Sequence, residues 1–511
     1  MKLGHVIIAV AILSLLFVGG CGRSATPTEE PEAPTDPMVL RIGLNAEPDN
    51  LDPHLLVQTE SMRVMEQMYS SLLRLSATLE IQPDVAEEWS VNDEGTVFTF
   101  KLREDVYFHN GRQVTADDVK FSIERVVDPD VGSPWSYLFG DLDTVAVVDE
   151  FTVEIVMKEA AAHVLAALAT PFVSIIPEEA TADEGLRTQG VGTGPFKFVE
   201  WVPGQHIVLE KNADYHHEGL PLLDELRWVF VEDPTSRVQQ VMSGTVDLDI
   251  DAPLESITAY RGDDNIEVLG GEVVSYYLLG INSAREPFDD VRVRQALAWA
   301  VDREEIVDVA ARGFGSPLFG GPLPSNHWAY SGVEIYTAPD AERAKELLAE
   351  AGYPDGITLE LLTRPGEEGI AQVVEQQLAA AGITATINRV EAGAFNQRVW
   401  TEGDFDVVCS RWGTMIDPDD FFIHFQTDGG WNPYGFGHPG IDDLILQGRR
   451  VMDQDERKTI YGELEALVAE QVPYVFLYRP ERFAAFGDSV EGLQHEAANT
   501  RLSLRETKVS R

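Results

Sequence analysis

The sequence predicts a mixed α/β fold on three observations. Segments with a two-residue apolar period alternate with amphipathic helical segments stopped by glycine. Composition is ordinary for a globular chain, with 44% hydrophobic and 9% aromatic residues among 511. In the second half helices and strands alternate regularly, the pattern of a sheet with substantial parallel pairing.

Val39 to Gly43 reads as a strand that ends in the polar loop Asn45 to Pro53, and Ser61 to Leu73 reads as a helix. From Val97 to Leu102 the side chains of Phe98, Phe100 and Leu102 alternate with Val97, Thr99 and Lys101, as in a strand buried on one face. Asn110-Gly111 marks a turn. Thr115 followed by Asp117 and Asp118 marks the capped start of a helix running to Arg125. Phe151 to Met157 and Gln205 to Glu210 are further strands. Gly190, Gly192 and Gly194 superficially resemble a phosphate loop, but Pro195 to Val199 reads as a strand, not the helix whose N-terminus would hold an anion, so a tight turn is expected. Farther on, Asp289 or Asp290 caps a helix with Val293, Ala296, Leu297, Ala300 and Val301 on one face. Thr337 to Ala351 and Glu367 to Ala381 are helices stopped by Gly352 and Gly382, and Ile383 to Ile387 is a strand. Tyr276 to Asn282 and Val472 to Tyr478 stand where two crossovers would tie a first lobe to a second.

Eighty-six acidic against 38 basic residues give a net charge of −48, so a phosphate backbone is repelled and nucleic acid is excluded as a partner. Residues 1–20 read as a signal peptide, because the apolar run from Val6 to Val18 is shorter than the roughly 20 residues a spanning helix needs. Val18-Gly19-Gly20-Cys21 resembles a bacterial lipoprotein signal, with Cys21 as the lipidated residue. Residues 21–37, with four Pro and four acids after Cys21, form a tether. Cys409 is expected to be a small buried hydrophobe.

Six stretches carry a family resemblance: Ala86-Glu87-Glu88-Trp89 with Val97 to Arg103; Phe108-His109-Asn110-Gly111; Thr115 to Ser122; Gly192 to Phe196; Phe288 to Leu297; and Leu347 to Tyr353. In this order they resemble family 5 of the extracytoplasmic solute-binding proteins of ABC importers, which handles peptides, nickel and some oligosaccharides. The resemblance implies a two-lobed periplasmic-binding-protein-like fold of type II, with an extra subdomain, mixed sheets, flanking helices and a two-crossover hinge. It places lobe I at 38–283 plus 479–511, an inserted subdomain near 75–191, and lobe II at 284–478. It further implies a monomer outside the cytoplasm, lipid-anchored to the envelope, that closes over a small solute and passes it to the transmembrane subunits of an ABC permease.

The resemblance makes the segment Val407 to Phe421 a cleft wall, with Trp412 a cleft aromatic and Thr414 in the loop behind it. Peptide binders of the family hold the ligand ammonium on an Asp three residues after that Trp; here the position is Met415, a weak acceptor at most. Asp417 either substitutes for it or caps the loop before Pro418. Arg411 and Arg364 are candidates for a ligand carboxylate or ordinary surface residues. Trp412, Trp431 and Tyr434 either stack on ligand or pack in the core, while Asn432, Gln58 and Thr59 offer neutral hydrogen bonds. The expected cargo is a peptide-class solute, with an oligosaccharide or another uncharged solute as the alternative.

No cofactor or metal is expected. His216 and His217 are adjacent, would point apart on a strand, and show no third ligand at useful spacing, so a solvent-exposed loop is expected. An enzyme such as a secreted hydrolase would need a Gly-x-Ser-x-Gly elbow, a phosphate-loop lysine or a His-Glu-x-x-His helix; the sequence has none.

Overall fold

A computed structural model describes residues 37–510 except Thr414. The signal peptide, Cys21, most of the tether and Thr414 lie outside the described residues.

Val97–Leu102 is a strand over the expected residues, with Phe98, Phe100 and Leu102 buried. It lies inside a four-stranded antiparallel sheet in the order Ala86–Val91, Val97–Leu102, Thr152–Met157, Leu142–Asp149. Helix Ala116–Val127 covers this sheet with Val119, Ile123 and Val126, each contributing about 1.5–3 kcal/mol by leaving water. Thr115 and Asp118 close a capping box at its start, and Asp118 also grips Arg112 at 2.6 Å.

The main sheet has twelve strands, and one of them, Tyr474–Gly487, lies near its centre and serves both of its halves. Its first residues pair with Tyr276–Ile281, and beyond that lie Val407–Trp412, Ile357–Thr363 and Ile383–Arg389. The last three run parallel, as helix-strand alternation requires, and helix Glu368–Ala380 makes one crossover. The later residues of Tyr474–Gly487 pair with Ile266–Glu272 and Leu248–Asp249, and Val39–Leu44 continues the sheet toward Phe196–Val202. The two segments read as crossovers therefore lie side by side, joined by antiparallel pairing. Among the described residues no helix is long and apolar enough to cross a membrane.

The helix expected over Ser61 to Leu73 spans only Thr59–Met65. Tertiary bonds take the next turn: Glu66 accepts from the Arg501 amide at 2.7 Å, and the carbonyls of Gln67 and Met68 accept from the amides of Phe196 and Gly194, both at 2.9 Å. Gly192 and Gly194 permit this approach, since a Cβ on Gly194 would lie 2.4 Å from the Met68 carbonyl carbon. Their role is close packing of backbone, with Phe196–Val202 following as a strand. Thr337 to Ala351 also starts late, at Ala341, because Pro339 disfavours helical geometry just before it and Asp340 supplies the cap. Cys409 is fully buried and its thiol is pushed well up by desolvation.

Candidate functional site

Where Val407–Trp412 ends, the chain enters a cavity of about 1110 Å³ including its mouth. One wall carries Arg411, Trp412, Gly413, Met415, Asp420, His424 and Trp431; the facing wall carries Thr59, Met62, Trp135, Tyr137 and Phe172, and Arg482 and Asn499 also line it. Strand register places Trp412 opposite Tyr276 and Arg411 opposite Tyr277, so the two side chains leave the sheet in alternate directions at its end.

Aromatic groups make up much of the lining. Trp412 stacks on His424 at 3.7 Å between centroids, Trp431 meets Trp412 at 6.2 Å and Trp400 at 5.7 Å, and Trp135 stacks on Phe172 at 3.7 Å. Tyr137 meets Trp431 edge to face at 5.0 Å, a contact between residues nearly three hundred positions apart. Burial drives the His424 imidazole down to about 3, so it is neutral at physiological pH.

Two guanidinium groups line this cavity. Among the described residues neither Arg411 nor Arg482 makes an ion pair or a side-chain hydrogen bond, although acids outnumber bases more than two to one in the chain. Solvent reaches Arg411, yet protein surrounds it closely enough that desolvation, and then Arg482 and Arg364, lower its pKa. Asp420 is the single carboxylate lining the cavity among the described residues. Its Oδ2 accepts the amides of Ile416 and Asp417, both at 3.0 Å. Burial and the nearby charges of Asp417 and Asp419 outweigh these bonds and push the carboxyl up to about 7.

Of the residues singled out in the sequence, Thr59, Arg411, Trp412, Met415 and Trp431 line the cavity. Gln58 is the exposed N-cap position of Thr59–Met65 and lies beside the lining. The structure gives the other four internal duties. Asp417 is buried, caps Pro418–Phe422 and holds Arg457 through contacts of 2.6 and 3.0 Å, so it does not reach into the cavity as a substitute for Met415. Arg364 is paired with Glu367 at 3.1 Å and stacks over Phe395. Asn432 donates to the carbonyls of Gln426 and Phe436. Tyr434 is buried against Phe405 and Tyr474. Sequence reasoning missed Trp135, Tyr137, Asp420 and Arg482, which only tertiary structure assembles.

A second cluster corrects an expectation. His216 and His217 lie in a loop, as expected, but His216 is buried and both rings converge on Asp84, with Nε2 to Oδ1 distances of 2.8 and 2.9 Å.

Residues 80–433 match the family described as bacterial extracellular solute-binding proteins, family 5, middle region. Di/tripeptide-binding protein 2 of Pseudomonas aeruginosa is 30% identical over 502 residues, which is 91% of this chain and 94% of that protein. The solved structure of AgaA from A. tumefaciens R10 in complex with agropinic acid is 29% identical, with a TM-score of 0.81 over 93% of this chain and 99% of that one. DppA from Helicobacter pylori, solved with the peptide STSA, is 26% identical, with a TM-score of 0.81 over 93% and 98% of the two chains. These relatives are binding proteins, not enzymes.

Proposed function

The chain belongs to the family 5 bacterial extracellular solute-binding proteins, and on that premise we propose that it captures a short peptide or a closely related zwitterionic solute and delivers it to the permease of an ABC importer. Capture occurs between two lobes, 38–283 with 479–511 and 284–478, the first carrying the inserted subdomain near 75–191. Ligand touches both walls of the cavity only when they are together, and this differential contact draws the population toward closure. No bond is made or broken.

The observation that carries this reading is the charge arrangement inside the aromatic cavity: among the described residues, two guanidiniums without an ion pair and one carboxylate whose hydrogen bonds all go to one oxygen. Arg411 and Arg482 receive the ligand carboxylate by charge-assisted hydrogen bonds. The Asp420 carboxylate receives the ammonium, the duty that Met415 lacks the chemistry to perform. An ammonium beside Asp420 favours its ionised form, so ligand and carboxylate charge each other. Trp412, Trp431 and Trp135 cover the side chains between these poles without demanding a particular one.

Cys21 carries lipid that holds the mature protein to the envelope membrane, and the acidic, proline-rich tether leaves a monomeric body free to meet the permease. The relatives named for peptides support the cargo class, and the one solved with agropinic acid shows that the fold accepts other carboxylate-bearing solutes.

The test is a thermal-shift and calorimetric screen of dipeptides, tripeptides, their amidated and acetylated forms, and neutral oligosaccharides. Free peptides should stabilise the protein, and blocking either terminus should abolish the response. An oligosaccharide response with none to peptides would overturn the reading in favour of an uncharged cargo.

A further inference from the structure

The Asp84, His216 and His217 cluster belongs to no part of the cavity described above, and its side chains have the chemistry of a metal site. Asp84 follows strand Ile81–Pro83, and the two histidines occupy the turn after Asn212, so 132 residues of chain separate the carboxylate from the first imidazole. One oxygen of Asp84 and one nitrogen of each ring all lie within 4.8 Å of one another. The two measured edges, 2.8 and 2.9 Å, are close to the roughly 3 Å separations imposed by metal bonds of about 2.0–2.1 Å.

We propose that Asp84, His216 and His217 form a three-ligand site for a divalent transition metal of the zinc, cobalt or nickel class, clipping the turn at 213–219 to the strand at 81–83. Two imidazoles and one carboxylate suit such borderline ions far better than magnesium or calcium, which take oxygen ligands. The ligand side chains are nearly preorganised: those of Asp84 and His216 are 6% and 1% exposed, whereas that of His217 is 23% exposed and leaves an approach from outside. That approach opens on a broad surface depression carrying Asp105, Asp214 and Glu218, which leaves room for a fourth ligand from water.

The alternative is that the histidines serve only as hydrogen-bond donors to a buried carboxylate. Convergence argues for the metal: from adjacent positions both rings turn Nε2 toward the same Asp84 oxygen, at 2.8 and 2.9 Å, in the spacing of neighbouring ligands around one ion. Arg74 and Arg505 lie within Coulombic range of Asp84 and weaken a dication there, which places the expected affinity below that of a closed structural zinc site.

This site is independent of the peptide reading and is tested without any cargo. Tag-free, metal-stripped protein is titrated with Co²⁺, following ligand-field absorption, and with Zn²⁺, following the melting temperature and heat of binding. The expected result is one Co²⁺ per chain with the intense bands of a low-coordinate site, and a melting temperature that rises with Zn²⁺. In His217→Ala, whose side chain is partly exposed, affinity should fall by about tenfold or more and the thermal response should vanish. Asp84→Asn, which preserves shape, should do the same. Absence of stoichiometric Co²⁺ binding, or binding unchanged in His217→Ala, would overturn the proposal.

Discussion

Tyr137 and Trp431 meet edge to face at 5.0 Å and join the segment ahead of strand Leu142–Asp149 to the loop after Pro418–Phe422. Both rings line the cavity, so this pair stands where its two walls touch. Tyr137→Ala should loosen that contact by about 0.5–1.5 kcal/mol. Small-angle scattering should then report a larger radius of gyration without ligand and recovery of the smaller value at saturation. Equal dimensions in both states would separate this contact from closure.

Arg411 makes no ion pair or side-chain hydrogen bond among the described residues, so its removal strands no buried acid there. Arg411→Ala should therefore leave unliganded stability within about 0.5 kcal/mol of the parent. Peptide affinity should fall by about 1.5–3 kcal/mol, the worth of hydrogen bonds to a charged group. Calorimetry with a free dipeptide and its amide distinguishes the roles, since the variant should lose its preference for the free acid.

Asp417 and Asp420 are three residues apart and should behave as opposites. Asp417→Ala strands buried Arg457 and should cost about 3–5 kcal/mol of stability in chemical denaturation. Asp420→Asn should leave the fold standing and abolish peptide binding. If Asp417→Asn removed binding from an intact fold, the ammonium would belong to Asp417 instead.

The raised carboxyl of Asp420 gives binding a pH dependence of definite sign. Because the folded value, about 7, lies above the ordinary range, the folded state binds the extra proton between about pH 4 and 7. Stability from this group is greatest below that window and declines as pH rises through it. Ammonium binding needs the charged form, so peptide affinity should instead strengthen by about tenfold per unit toward pH 7 and then level off. Asp420→Asn should flatten the stability trend.

Cys21→Ser should move the protein from the membrane fraction to the soluble fraction of the producing cell, with the melting temperature and peptide affinity of the released body unchanged. Retention of the variant on membranes would place the anchor elsewhere.

Local rules located elements where local forces decide them. Phe98, Phe100 and Leu102 alternate because one face of their strand is buried, and Asp290 caps its helix by accepting the Arg292 amide at 2.8 Å. The helix from Ser61 ends earlier than its local pattern predicts because its next turn is claimed by Phe196 and Arg501, both more than a hundred positions away. In the cavity, Trp412 and Met415 were legible through resemblance, Trp431 as an aromatic weighed against a core role and Arg411 as a charge weighed against a surface one. Arg482, Tyr137 and Asp420 carried no local signal, since each becomes notable only through neighbours brought by the fold. Asp417 and Arg364 looked available because Arg457 and Glu367, which neutralise them, cannot be assigned from spacing alone. The loop holding His216 and His217 was legible, but not the burial of His216 or the convergence of both rings on Asp84, 132 positions away from the first.

Strand Tyr474–Gly487 joins one half of the main sheet to the other, and Pro480 sits near its middle, opposite Gly315. A proline there donates no amide hydrogen, so the ribbon is least stapled at the place where its neighbours change. Any swing of one half against the other is thereby steered into flexure about a single crease, in the manner of a leaf spring, and not into sliding.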